Sequence, residues 1–160
     1  MASLQPPLAY FLTWTTYGTR LHGDARGTVD CLHNQRGSAM VPESPGREER
    51  ARLALSQDEY VMGDNERNVV DAAIRDHCGI RGWSLRALNV RTNHVHVVVT
   101  ANTHHPGQVM EQFKSWGTRR LTSAGLIQRG RRDWTDGGSK RWLNFPEDLF
   151  EAVNYVQNCQ

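Results

Sequence analysis

The sequence predicts an α+β sandwich, an antiparallel sheet with helices packed on it, and three observations carry that prediction. Residues 8–16 and 93–100 are runs rich in β-branched and aromatic side chains, the composition of strands. Apolar residues recur at helical spacing in two long segments, at Val70, Ala73, Ile74 and His77 and again at Val109, Phe113 and Trp116. The segments follow one another in the order β–α–β–β–α with a terminal helix.

Each element has its own local reason. Leu-Ala-Tyr-Phe-Leu-Thr-Trp-Thr-Thr, residues 8–16, forms the first strand, and Tyr17-Gly18-Thr19 ends it. Residues 20–50 hold many Gly, Pro, Asp and Asn without a sustained period, so a long irregular insertion is expected at about 20–60. Within it residues 47–57 could form a short charged helix. Asp64 is a suitable N-cap for a helix over about 65–78, and Gly79 stands where C′ is expected. Trp83 to Val90 reads as a second strand, Arg91-Thr92-Asn93 as a tight turn, and the run from His94 as its hairpin partner. Pro106 suits the first turn of the next helix. Residues 125–141, rich in Gly, Arg and Asp, are expected to be a loop or a short basic hairpin. Pro146 opens a final helix with Leu149, Phe150, Val153, Tyr155 and Val156.

The composition suits one domain spanning residues 1–160 with a sizeable core: 160 residues, 38% hydrophobic and 22% charged. No apolar run approaches the ~20 residues of a membrane helix, and the opening Met-Ala-Ser-Leu-Gln-Pro-Pro has no basic stretch followed by an apolar one. Cys31, Cys78 and Cys159 are odd in number and far apart, so a disulfide framework is not expected and a cytoplasmic setting is. Net charge is only +2, but it is unevenly spread. Residues 43–76 carry nine acidic and five basic residues, whereas residues 112–141 carry eight Lys or Arg and two Asp. Such a basic segment attracts phosphate backbones, or is a solvated surface.

The densest chemical signal is Asn93-His94-Val95-His96-Val97-Val98-Val99-Thr100. Strand side chains alternate between faces, so His94 and His96 point one way with Val98 beyond them, and Val95, Val97 and Val99 point the other. Two imidazoles so placed can share one divalent cation. A half-buried strand whose polar face carries two histidines is the plainer alternative.

Asn93-His94-Val95-His96 resembles the His-hydrophobic-His (HUH) signature of the single-tyrosine transposases of insertion sequences and their REP-associated relatives. Phe11 to Tyr17 resembles the opening strand of that family. Met110-Glu-Gln-Phe-Lys-Ser-Trp-Gly-Thr-Arg-Arg-Leu121 resembles the helix that normally carries the nucleophile, and the helix with Asn154-Tyr155-Val156 resembles the last one. The resemblance implies an HUH-endonuclease, ferredoxin-like (RRM-like) sandwich and a DNA-binding protein of transposition and recombination. In such enzymes a tyrosine attacks a backbone phosphate of single-stranded or hairpin DNA and stays on the 5′ side while a 3′ hydroxyl is freed. The histidine pair holds Mg²⁺ or Mn²⁺, a polar side chain of the nucleophile helix commonly completes the ligands, and the proteins are commonly homodimers.

The family's tyrosine is expected near Trp116 or Gly117, where neither residue can attack. Among the tyrosines, Tyr17, near the end of the first strand, is the candidate replacement, and Tyr155 is another. Cys159 or a metal-activated water are further possibilities, as is a non-catalytic, domesticated or inactivated DNA-binding descendant. Lys114, Arg119, Arg120, Arg129, Arg131, Arg132, Lys140 and Arg141 are candidate phosphate contacts, with Trp134 and Trp142 among them as stacking platforms or as packing residues. His104 and His105 could add a metal ligand, His22 and Asp24 form a polar cluster in the long insertion, and His77 reads as a core or boundary histidine. A two-histidine phosphoesterase would need two His-x-Ser/Thr repeats, which the chain lacks. A plain structural module would show no salt-sensitive DNA binding.

Overall fold

The computed structural model describes residues 5–19, 59–101 and 103–158. The expected helix at 47–57, most of the long insertion, and His22, Asp24, Cys31 and Cys159 lie outside the described residues. The described elements run β1 (Ala9–Thr15), α1 (Asp64–Arg81), β2 (Ser84–Val90), β3 (His94–Thr100), α2 (Pro106–Ser123), β4 (Ser139–Leu143) and α3 (Pro146–Asn158). The four strands form one antiparallel sheet in the order β2-β3-β1-β4. Because β3 lies between β1 and β2, and β1 between β3 and β4, two β–α–β units interleave, as in ferredoxin-like folds. No described helix is long and apolar enough to cross a membrane.

The two faces of the sheet bury different layers. On one, Tyr10, Leu12 and Trp14 of β1 and Val95, Val97 and Val99 of β3 pack against Val70 and Ile74 of α1 and Val109, Met110, Phe113 and Leu121 of α2. On the other, Phe11, Val98 and Leu143 meet Ala152 and Val156 of α3, with Leu149 and Val153 alongside. Period two in the strands thus sorts alternate residues into two cores. The stripe at 149, 152, 153 and 156 gives α3 its packing face.

Three local expectations shift. The first-helix cap is Gly63, with Asp64 and Glu66 in the opening turn, where acidic side chains suit the helix dipole. The helix runs past Gly79 and ends at Gly82, whose φ of 71° is the left-handed conformation that glycine adopts without cost. Ser-Lys-Arg-Trp-Leu, expected within a loop or basic hairpin, is the strand β4, pairing β1 from Ala9↔Leu143 to Thr13↔Ser139.

Phe113 is 1% exposed and its ring meets those of Trp14, Trp83 and His77, so it joins both helices to the sheet. Phe113→Ala is expected to cost about 3–5 kcal/mol, read as a lowered urea midpoint at unchanged m-value. A cost below ~1 kcal/mol would contradict this packing.

Candidate active site

Sheet register brings the two histidines to the α3 face. Thr15 pairs with His94, and both Thr13 and Asn89 pair with His96. The imidazole centroids are 4.7 Å apart at an interplanar angle of 76°. Asn93 Oδ1 lies 2.7 Å from His94 Nδ1. In the tautomer that donates from Nδ1 to this carbonyl oxygen, Nε2 carries the lone pair that a cation requires. His96 Nδ1 lies 2.7 Å from Thr13 Oγ1, a hydroxyl that serves either tautomer. Both rings are therefore oriented by neighbours, His94 by Asn93 of the β2–β3 turn and His96 by Thr13 of β1.

Helix α3 supplies the cover. Asn89 Nδ2 donates to Val156 O at 3.2 Å, tying the helix to β2. This sets the Tyr155 ring 5.7 Å from His96 and 6.0 Å from Phe11. Phe11 in turn lies 5.8 Å from His96. Tyr155 is 44% exposed, at the border of the packing stripe.

The sequence has four tyrosines, and their surroundings differ in kind. Tyr10 is buried and its hydroxyl donates to His104 O at 2.8 Å. Tyr60 is buried, and burial and the nearby Glu66 push its phenol up to about 12. Tyr17, the candidate from sequence, is buried in the core shared with α1 and α2, beneath the Arg132 guanidinium at 4.9 Å. It therefore lies in the layer away from the histidines. Tyr155 alone of the four reaches the histidine face.

Gly117 is in the same distant layer. It is buried on α2, and a Cβ there would stand 3.3 Å from Trp134 Cζ2 and 3.9 Å from Val70 Cγ2. The expected nucleophile position is therefore a close helix contact across the sheet from His94 and His96. Trp116 is half-buried, beside His77 at 5.5 Å and under Arg119 at 5.1 Å.

The basic residues divide among several places. Arg119, Arg131 and Arg132 line a groove of about 490 Å³ beside α2, with Lys114, Asp133 and Trp134 at its floor. Lys140 and Trp142 lie at the β4 edge with His105, whose ring is 5.7 Å from Trp142. Arg141, on alternate phase, stands on the histidine face over Phe11 at 5.7 Å. Arg129 is exposed, and Arg120 pairs with Asp76 at 3.1 Å.

Two of the expected DNA contacts are structural instead. Lys114 is 6% exposed and its Nζ donates to Thr135 O at 2.9 Å and Gly137 O at 2.7 Å. Burial lowers its pKa. Trp134 is buried, with Nε1 donating to Lys114 O at 3.0 Å. Beside them, burial raises the pKa of Asp133, opposed by a hydrogen bond donated by Thr118 Oγ1 at 2.5 Å. Together these groups lash the segment before β4 to α2.

The remaining described histidines have other work. His105 caps α2, its Nδ1 accepting from Gly107 N–H at 3.1 Å. His104 packs on Trp83 at 5.2 Å. His77 is a core histidine whose Nε2 lies 2.7 Å from Gln112 Oε1, with burial lowering its pKa. Cys78 is buried and its thiol is pushed up to about 11, so it is not an available nucleophile. Among the described residues no group of three or more His, Cys, Asp or Glu could hold a metal ion.

Comparison with known proteins gives the family and the fold. Residues 55–138, just over half of the chain, match the family model described as IS200-like transposase. Two solved structures share the fold. One is a candidate transposase from Deinococcus radiodurans R1, 15% identical, TM-score 0.54, covering 99% of this chain and 95% of that one. The other is a REP-associated tyrosine transposase bound to a REP hairpin, 12% identical, TM-score 0.53, covering 98% of this chain and 70% of that one. No curated protein matches the sequence.

Gly117→Tyr is expected to destabilise the protein by about 1–3 kcal/mol or more, because the core around Trp134 has no space for a phenol. It should add no activity. Unchanged stability in thermal or urea melts would contradict the contact with Trp134.

Proposed function

Because the chain belongs to the IS200-like transposase family, we propose that it nicks and rejoins single-stranded or hairpin DNA, with Tyr155 as the nucleophile and His94 and His96 as metal ligands. The observation that carries this reading is the Tyr155 ring 5.7 Å from His96, on a half-exposed helix face. In the proposed step the Tyr155 oxygen, having lost its proton to solvent, attacks phosphorus. The P–O3′ bond breaks, O3′ takes up a proton, and the 5′ phosphate remains on Tyr155. Attack by the freed 3′ hydroxyl reverses the step and rejoins the strand. The non-catalytic alternative rests on the missing tyrosine at position 117, and the placement of Tyr155 beside His96 favours the catalytic reading over it.

The donor set fits a divalent cation. Two imidazoles with tied Nδ1 atoms supply nitrogen ligands, and oxygen donors such as DNA phosphate or water would fill the remaining positions. That mixture suits Mn²⁺ and, with more oxygen ligands, Mg²⁺. Such a cation, when bound, polarises the phosphate and offsets developing charge. The chain's own groups orient the two rings through Asn93 and Thr13, and hold Tyr155 over them through α3. In this reading the protein is a cytoplasmic homodimer.

The test is a labelled hairpin-bearing single strand incubated with protein and Mn²⁺, run on a denaturing gel with and without protease. A protease-sensitive adduct is expected, mapped by mass spectrometry to Tyr155 and lost in Tyr155→Phe with DNA binding retained. His94→Ala and His96→Ala should each abolish the adduct and lower Mn²⁺ affinity by about 10-fold or more. Shortened DNA without an adduct would mean that water attacks. An adduct that survives Tyr155→Phe would overturn the assignment.

A further inference from the structure

We infer that Arg141 is the group that grips the attacked phosphodiester, a deeper reading that rests on the proposed function of the histidine face. Arg141 sits on β4 opposite Phe11. Three groups surround the Phe11 ring: the His96 imidazole at 5.8 Å, the Tyr155 ring at 6.0 Å and the Arg141 guanidinium at 5.7 Å. A metal ligand, a nucleophile and a cation are thus arrayed about one buried aromatic.

Arg141 is the basic-segment arginine that stands on the histidine face. Arg120 and Arg132 are paired with Asp76 and Asp136, and Lys114 is spent on backbone carbonyls. Arg141 has neither a carboxylate partner nor a hydrogen-bond acceptor among the described residues, and its Nε is buried without a partner. An unsatisfied buried donor in a folded protein calls for an explanation, and an absent ligand is one. The Phe11 ring holds the guanidinium in a cation–π contact beside His96 and Tyr155. A guanidinium matches two oxygens of a phosphate at once, which an ammonium cannot do. Such a donor stabilises the negative charge that gathers on the non-bridging oxygens as the Tyr155 oxygen adds and O3′ leaves. The chemistry recognised is a phosphodiester of a single strand crossing the sheet between β4 and α3.

The experiment compares wild type, Arg141→Met, which keeps the apolar stem on Phe11, and Arg141→Lys. Single-turnover nicking of the hairpin-bearing strand with Mn²⁺ should fall by about 10²–10³-fold in Arg141→Met, with incomplete rescue in Arg141→Lys and Mn²⁺ affinity unchanged. A readout that needs no catalysis accompanies it: the Nε–H resonance of Arg141 in ¹⁵N-labelled protein, titrated with an oligothymidylate of 15 nucleotides without metal. The resonance should move on binding, and Arg141→Met should bind that oligonucleotide more weakly. Wild-type nicking rates in Arg141→Met, or an Nε–H resonance that stays still while β3 amides move, would overturn the proposal. A wild type that forms no adduct, yet moves the Arg141 resonance and loses affinity in Arg141→Met, would keep the phosphate contact and overturn only the covalent reading.

Discussion

The two-residue period of β3 is the constraint on which the rest depends. Val95, Val97 and Val99 are each fully buried in the layer beneath α1 and α2, and burying such side chains is worth about 1.5–3 kcal/mol apiece. A slip of one residue would exchange them with His94, His96 and Val98, placing imidazoles in an apolar core and valines on the polar face. The hydrophobic layer thereby fixes which way the histidines point. Their neighbours follow from the same register: Thr13 and Thr15 on one side, Asn89 on the other, all on the face that α3 covers.

The other half of the molecule is fastened by polar groups. Lys114, Thr118, Asp133 and Trp134 form a small buried network that binds the segment before β4 to α2. Removing one member would leave another buried and unsatisfied, which costs about 1–3 kcal/mol or more. The network determines where β4 can lie, and β4 is the strand that carries Arg141 to the histidine face and Trp142 to the opposite one. A basic segment that is continuous in sequence is in this way divided between a groove beside α2, the β4 edge and the candidate active site.

Much of this was legible in the sequence. The valine run and the alternation of histidines gave β3 and its two faces, and the stripe of Val70, Ala73, Ile74 and His77 gave the buried side of α1. β4 was not legible because Ser-Lys-Arg-Trp-Leu is five residues long and shows no clean apolar alternation, as short edge strands often do not. Gly79 and Gly82 are equivalent as letters, and only the backbone angle at Gly82 marks the end of α1. The histidine pair stood out, whereas Tyr155 was one of several candidates for the nucleophile. Matching Met110–Leu121 to a nucleophile helix pointed to Gly117, but helix packing turns that position toward Trp134. Tyr155 reads in sequence as a secondary candidate on an apolar helix. Its position outside the stripe of Leu149, Ala152, Val153 and Val156 was the available signal, and the sequence alone could not say which sheet face that stripe would cover.

His94, His96 and Tyr155 stand together on the α3 face. Paramagnetic broadening by substoichiometric Mn²⁺ in NMR spectra of the DNA-free protein tests this arrangement directly. Resonances of His94, His96, Tyr155 and Phe11 should broaden first, while the indole N–H of Trp134 and the amide of Gly117 stay sharp. Broadening centred on the α2 groove or on His105, with Tyr155 unaffected, would contradict the account.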